Sequence, residues 1–193
     1  EHNTQLIYEH DSPELHEILK VLMKKSQNMY AETMVKTMGY EKEGIGSFYE
    51  GRKVVEEVLS DFGIEPKTYE YMDGSGLSRY NFISPSQIVK ILKGMRESEY
   101  WEVWKDAFPI AGIDGTLKRR MRGTKAEGNV LAKTGTISNV RGLSGYLKTA
   151  GGEDIVFSFL VNGHLLSSRD TELITDRVLS IIAEYPYLQY DKE

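Results

Sequence analysis

Two short polar segments, far apart in the chain, carry the side chains best suited to chemistry. Lys133-Thr134-Gly135-Thr136 places an ammonium and two hydroxyls around one glycine, ahead of residues with a strand-like pattern. An ammonium and hydroxyls at a strand edge form a good receptor for a carboxylate, and the missing Cβ of Gly135 lets another backbone lie close. Ser26-Gln27-Asn28 lies 133 − 26 = 107 positions upstream and adds a hydroxyl that can both donate and accept a proton.

The order of these segments matches a known signature. Ser-x-Asn followed by Lys-Thr-Gly is two thirds of the signature of serine penicillin-recognising enzymes, whose remaining part is a Ser-x-x-Lys nucleophile. No serine of this sequence has a lysine three residues later. Residues 12–163 nevertheless resemble the C-terminal half of the catalytic domain of a D-alanyl-D-alanine carboxypeptidase/endopeptidase of the S13 peptidase family, the class C low-molecular-mass penicillin-binding proteins. Segments 12–15, 25–32, 73–81, 132–136 and 142–146 carry the resemblance, in family order.

The resemblance implies three catalytic residues. Ser26 would pass a proton to the leaving amine of the substrate, and Asn28 would hold a substrate carbonyl together with a neighbouring lysine. Lys133 would face Ser26 across a cleft and favour a substrate carboxylate through its positive charge. A lone serine and asparagine at a helix end are more often caps, but the downstream motifs favour the interpretation as a site.

The substrate-binding residues depend partly on strand geometry. Side chains alternate along a strand, so Lys133 and Gly135 share one face while Thr134 and Thr136 share the other. The resemblance assigns the substrate carboxylate to the hydroxyl of Thr136, with Gly135 beside it and the backbone N–H of Thr136 as an oxyanion donor; Thr134 is expected to pack inward. It also implies that Leu77 and Ile137 line a pocket for the peptide stem. Segment 73–78 is equally typical of a structural turn with Asx and serine caps.

Two hypotheses for function follow. The resemblance implies a serine-type D-Ala-D-Ala carboxypeptidase/endopeptidase of peptidoglycan maturation, which forms an acyl-enzyme and binds stem peptides and β-lactams in the periplasm or cell envelope. Because this sequence lacks Ser-x-x-Lys, we expect the chain alone to be inactive. The alternative is a non-catalytic peptidoglycan-binding or scaffold module of the same fold. A Ser-x-x-Lys segment encoded upstream of Glu1 would separate them.

Composition excludes several other classes of function. The net charge of −5 and the lack of a long basic run argue against a nucleic-acid partner, and the absence of cysteine excludes disulfides and thiolate chemistry. The four histidines are dispersed (His2, His10, His16 and His164), so we predict no metal and no cofactor. No apolar run approaches the roughly 18 residues of a membrane span, and no signal segment opens the chain.

The hydrophobic pattern predicts helices first and strands later. Helices are expected from a Ser12-Pro13 start, over 29–38 with Gly39 as a stop, over 47–62 and over 84–95, with a surface loop or short helix at 112–128. Strands are expected at 129–136, 142–148 and 155–161. A closing helix at 169–185 should bury a stripe that contains Leu173, Ile174, Val178, Ile181 and Ile182.

These elements predict the fold class α+β. The resemblance specifies a β-lactamase/transpeptidase-like fold, a partial antiparallel sheet with a C-terminal helix plus an all-helical lobe. The lobe would span 12–128, and the strands with the terminal helix 129–193, within a 1–193 C-terminal part of a penicillin-binding domain. Family members complete the sheet with N-terminal strands not found here, so we expect an open sheet edge and a homodimer.

Overall fold

The computed structural model describes residues 5–186, so His2 and residues 187–193 lie outside the described part. Six α-helices, one 3-10 turn and three strands make up this part. In chain order they are α1 (Leu15–Lys25), α2 (Asn28–Glu43), α3 (Phe48–Asp61), α4 (Pro85–Glu97), α5 (Trp101–Ala107), the 3-10 turn (Gly115–Leu117), β1 (Leu131–Ile137), β2 (Val140–Lys148), β3 (Asp154–Asn162) and α6 (Ser168–Glu184). None of the described helices is both long and apolar enough to cross a bilayer.

The three strands confirm the predicted α+β class. They form one antiparallel sheet in the order β1-β2-β3, and each begins and ends within two residues of its prediction. One face of the sheet packs against α6 through Leu143, Leu147 and Phe157, which join Leu179 in a buried cluster. On the other face, Tyr146 packs against helices α4 and α5. The sheet is therefore held between the helical part of the chain and the C-terminal helix.

Two predicted helix boundaries are wrong. Helix α1 begins at Leu15 with Glu14 as its N-cap, rather than with Ser12 as the cap and Pro13 at the first helical position. Gly39 does not stop α2, which continues to Glu43. A Cβ on Gly39 would lie 2.6 Å from the backbone N of Gly51 in α3, so Gly39 permits close helix packing. The left-handed residue that ends α2 is Gly44, with φ +72°.

Most of the buried stripe predicted for α6 is also wrong. Its buried residues are Thr171, Thr175, Leu179 and Ala183, with Ile182 packed against the same cluster. The more apolar stripe faces outward, since Leu173, Ile174 and Ile181 are each more than half exposed and Val178 is 38% exposed. The helix therefore buries its small and hydroxyl-bearing side against the sheet and leaves an apolar outer side uncovered among the described residues.

The segment at 112–128, expected to be a surface loop or short helix, contains the short 3-10 turn Gly115–Leu117 but does not lie wholly on the surface. Leu117, Met121 and Ala126 are buried in the cluster beneath the sheet. Just before it, the backbone at Ile110 forms an isolated bridge with Leu131, and the N–H of Ala132 donates to Pro109 O at 3.0 Å. The outer edge of β1 is therefore partly covered, and β3 is the outer strand on the opposite side of the sheet.

Candidate active site

Ser26 occupies the residue that ends α1. Its backbone is left-handed, with φ 55° and ψ 55°, and its N–H donates to Leu22 O. The apolar stripe of α1 is only partly buried, because no residue of this helix is fully buried. The chain turns at Ser26 and starts α2 at Asn28, so Ser26 lies at the junction of the two helices.

The structure brings Lys133 to Ser26. Lys133 Nζ donates to Ser26 Oγ at 2.6 Å across 107 positions of sequence, and to the backbone oxygen of Thr134 at 3.0 Å. Burial lowers the pKa of Lys133 below its ordinary value. None of the ion pairs within residues 5–186 includes Lys133. The ammonium thus has a hydroxyl and a carbonyl as partners, and its charge remains available to an anionic ligand.

Gly135 and Ile137 lie on the strand face that carries Lys133, while Thr136 does not. Gly135 is opposite Gly142 of β2, and a Cβ added to Gly135 would meet only ordinary contacts, the nearest at 3.7 Å. The strand face beside Lys133 is therefore bare, which leaves room for a ligand rather than for another part of this chain. Ile137 is half-buried at the end of β1, and Thr136 is exposed at the strand edge.

A cleft of about 340 Å³ opens on the same face of the sheet as Lys133. Its walls come from α1, α4, α5 and the sheet and include Met23, Ile88, Leu92, Trp104, Lys133, Gly135, Gly142 and Ser144. The cleft is mostly apolar, with the Lys133 ammonium as its charged group. Such a site suits a ligand with a negatively charged end and an apolar body.

Asn28 and Leu77 lie farther along the helical side. Asn28 is exposed as the first residue of α2, and the Leu77 side chain is 54% exposed. The loop that carries Leu77 is fastened to α2, since the N–H of Gly74 donates to Glu32 Oε2 at 2.8 Å and a Cβ on Gly74 would lie 2.8 Å from Ala31 O. The substrate contacts expected of Asn28 and Leu77 stay predictions.

Segment 73–78 has the hydrogen bonds of a structural turn. Asp73 accepts from the N–H groups of Gly76 and Ser78 at 2.7 and 2.8 Å and from the Asn81 amide at 3.0 Å. Burial alone would raise the pKa of Asp73, but these hydrogen bonds outweigh it and lower the pKa below its usual range. The turn interpretation is therefore correct for Asp73, and it holds the loop that presents Leu77.

Three polar residues near the site, Ser144, Ser158 and Thr116, were not predicted from the sequence. Ser144 lies opposite Lys133 in the strand register and shares a 2.9 Å hydrogen bond with Ser158 of β3. Thr134 is half-buried, as expected, but its hydroxyl donates to Thr116 Oγ1 at 3.0 Å. Period-two alternation in β2 could have identified Ser144, whereas no local signal identifies Thr116.

Arg141 has a structural role at the tip of the hairpin formed by β1 and β2. Its guanidinium donates to the backbone oxygens of Ile137 and Val140, both at 2.7 Å, and to Ser168 Oγ at the start of α6. No carboxylate within residues 5–186 forms an ion pair with it. Within the same part of the chain, no group of three or more His, Cys, Asp or Glu side chains could hold a metal ion.

Comparison with known proteins agrees with this geometry. The chain is 40% identical over 188 residues to the D-alanyl-D-alanine carboxypeptidase of Actinomadura sp. (strain R39), an alignment that covers 95% of this chain and 34% of that protein. The crystal structure of penicillin binding protein 4 (dacB) from Haemophilus influenzae, complexed with a β-lactam, superposes with a TM-score of 0.78 at 28% identity, over 88% of this chain and 41% of that one. The chain thus spans little more than a third of the length of the curated relatives that it matches.

A third comparison concerns the fold alone. The TLA-3 extended-spectrum beta-lactamase superposes with a TM-score of 0.68 at 17% identity, over 87% of this chain and 62% of that one, which confirms the β-lactamase-like fold.

The sequence model of the D-Ala-D-Ala carboxypeptidase 3 (S13) family matches residues 1–185. Since this match covers nearly the whole chain, the chain belongs to the D-Ala-D-Ala carboxypeptidase 3 (S13) family.

Proposed function

We propose that this chain is the C-terminal part of the catalytic domain of a serine-type D-Ala-D-Ala carboxypeptidase/endopeptidase that acts on peptidoglycan in the periplasm or cell envelope. The observation that carries the proposal is the 2.6 Å hydrogen bond from Lys133 Nζ to Ser26 Oγ, beside a bare strand face and a cleft. It is supported by relatives that are named carboxypeptidases. Peptidoglycan stem peptides are the proposed substrate, and β-lactams the proposed inhibitors.

The proposed reaction needs a nucleophilic serine from a Ser-x-x-Lys segment outside the present sequence. Its oxygen attacks the carbonyl carbon of the penultimate D-alanine, and the C–N bond to the terminal residue breaks. The proton released by the nucleophile reaches the leaving amine, with Ser26 as the relay. Water then attacks the acyl-enzyme ester and releases the shortened stem.

The residues of this chain would bind and orient the substrate. The Lys133 ammonium, with no carboxylate partner in the described structure, attracts the terminal carboxylate and holds Ser26 Oγ in place. Thr136 contributes its hydroxyl to the carboxylate and its N–H to the oxyanion, and Asn28 holds a substrate carbonyl. Leu77 and Ile137 line the pocket for the stem side chain, and Gly135 leaves the strand open beside them.

A second candidate is a peptidoglycan-binding or scaffold module of the same fold, which would keep the cleft beside Lys133 but carry out no catalysis. Reading the gene upstream of Glu1 is the first test. An upstream Ser-x-x-Lys supports the enzyme, and its absence supports the module. The two functions differ in turnover of a D-Ala-D-Ala peptide, because only the enzyme releases D-alanine.

Mutation of the two residues that meet in the site then tests their roles. In the polypeptide that includes Ser-x-x-Lys, Ser26→Ala should lower the release of D-alanine by about 10²-fold or more, the usual scale for a positioned proton-transfer group. Lys133→Ala should be comparably damaging because it removes both the carboxylate partner and the bond to Ser26. Ser60→Ala and Lys105→Ala, at exposed positions, are matched controls. Near-parental rates for both site variants would contradict the proposed roles.

A further inference from the structure

The end of α1 and the strand β1 are joined by a segment of the chain that neither motif includes. Residues 110–117, here called the bridging segment, run between the end of α1 and the edge of β1. Helix α1 itself packs against α5, α2 and the 3-10 turn of this segment. The bridging segment therefore contacts both α1 and β1, the elements that carry Ser26 and Lys133.

On the α1 side, the bridging segment contacts the last turn of the helix. Asp114 Oδ2 lies 2.5 Å from Lys24 Nζ, and the Lys24 side chain is only 13% exposed. Gly115 has a positive φ of +56°, and a Cβ there would lie 2.8 Å from Lys24 O. The bridging segment therefore lies against the backbone of the residue two positions before Ser26 and forms an ion pair with its side chain.

On the β1 side, the same segment contacts the residue that follows Lys133. Thr116 Oγ1 accepts a 3.0 Å hydrogen bond from Thr134 Oγ1. The segment keeps its own shape, because Asp114 Oδ1 accepts from the N–H of Ile110 at 2.9 Å. The Asp114 carboxylate therefore joins Lys24 of α1 to the backbone of Ile110. The Thr116 hydroxyl, two residues later, reaches β1.

We propose that Asp114 and Thr116 are positioning residues that hold the Ser26 hydroxyl against the Lys133 ammonium by fastening the end of α1 to β1. Their importance for catalysis rests on the function proposed above, whereas the geometry that they maintain can be tested in this chain alone. Ser26 is a terminal helix residue, and helix ends fray unless they are held. Without these contacts, the distance from Ser26 Oγ to Lys133 Nζ would lengthen even in a folded chain.

The lack of cysteine permits a direct test. Ser26→Cys introduces a single thiol in place of the hydroxyl, and an ammonium beside a thiol lowers its pKa from about 8.5 to about 7.5 or below. The thiol pKa is read from the pH dependence of its alkylation by iodoacetamide. It reports the proximity of Lys133 and needs no peptidase activity.

Adding Asp114→Asn to Ser26→Cys separates positioning from simple charge effects by the sign of the shift. Removing a nearby negative charge and freeing the Lys24 ammonium would both lower the thiol pKa further. Moving the thiol away from Lys133 would raise it. We expect a rise of about one unit, so that the thiolate fraction at a fixed pH below the thiol pKa falls about tenfold. Thr116→Val, which changes no charge, should shift the pKa in the same direction.

The matched control is Asp106→Asn, because Asp106 forms an ion pair with Lys20 at 2.6 Å, one turn earlier on α1 and in an exposed place. It should leave the thiol pKa unchanged. Adding Lys133→Met to Ser26→Cys should return the thiol pKa to about 8.5, and Asp114→Asn should then no longer raise it. The charged groups placed near position 26 include Lys133, which donates to Ser26, Lys25 next to it in sequence, and the Lys24–Asp114 pair.

The outcomes distinguish the inference from the function on which it depends. A thiol pKa that falls or stays constant in both Asp114→Asn and Thr116→Val would overturn the positioning role. A thiol pKa of about 8.5 with the bridging segment intact would instead contradict the Ser26–Lys133 pairing, and with it the proposed active site. A rise in both variants, with no change in Asp106→Asn, would support the inference even if the peptidase assay failed.

Discussion

Replacing Tyr146 by phenylalanine should weaken the contact between the sheet and helices α4 and α5. Tyr146 is buried in β2, and its hydroxyl donates to Leu92 O at 2.7 Å and accepts from Trp104 Nε1 at 2.9 Å. Its ring also meets Trp101 and Phe108 edge-on, at centroid distances of 4.9 and 5.6 Å. Phenylalanine keeps these ring contacts and removes only the hydroxyl.

The magnitude follows from the two hydrogen bonds. Each contributes roughly 0.5–1.5 kcal/mol net, and a buried N–H left without a partner costs about 1–3 kcal/mol. Burial raises the pKa of Tyr146 to about 12, so the hydroxyl remains protonated and able to donate at neutral pH. We expect the free energy of unfolding to fall by about 2–3 kcal/mol, which lowers the melting temperature by about 4–12 °C in a domain of this size.

Urea denaturation followed by tryptophan fluorescence is the appropriate assay, because the only two tryptophans of the chain, Trp101 and Trp104, both contact Tyr146. Tyr100→Phe is the matched control, since Tyr100 is 62% exposed directly before α5. A loss below about 0.5 kcal/mol, or one equal to that of Tyr100→Phe, would refute the reasoning.

Three further predictions concern the chain alone. It should form no covalent adduct with a fluorescent penicillin, because no serine has a lysine three residues later; stoichiometric labelling in an intact-mass measurement would contradict this. It should dimerise through the outer edge of β3 and the exposed side of α6, with Ile174 and Ile181 more than half exposed; a monodisperse monomer in concentrated solution, seen by light scattering, would refute it. Because the pKa of Lys133 is lower in the folded chain than its ordinary value of 10.5, the unfolded chain binds more protons at pH values between the two. The free energy of unfolding of the unaltered chain, relative to that of Lys133→Met, should therefore rise with pH across this window. A difference that stays flat or falls in urea titrations would contradict this.

The strands were predicted well, because the alternation of apolar and polar residues and the turn residues between strands are local features of the sequence. The strand predicted at 155–161 is β3, Asp154–Asn162, and Phe157 and Phe159 share a face because side chains alternate along a strand. The pairing of Ser26 with Lys133 was also predictable, but only through the order of two motifs and the resemblance that they support. The 2.6 Å distance itself depends on the fold.

Long-range packing explains the predictions that failed. Glycine often ends a helix, but Gly39 lies inside α2, because α3 approaches so closely there that only glycine fits. Helix α6 has two candidate stripes, and the sheet buries the one with smaller side chains, Thr171, Thr175 and Ala183. Neither choice can be made from residues within one helix, since both depend on the surface that packs against it.

The backbone of Ser26 supports a role for its side chain beyond helix termination. A left-handed residue at a helix end is usually glycine, because other residues pay roughly 1–2 kcal/mol in that conformation. This chain uses glycine in that way at Gly44, which ends α2 with φ +72°, but keeps a serine at the end of α1 with φ 55°. The hydroxyl accepts the bond from Lys133, which a glycine could not do. Helix termination alone would favour glycine, but a glycine at this position would lose the hydrogen bond to Lys133.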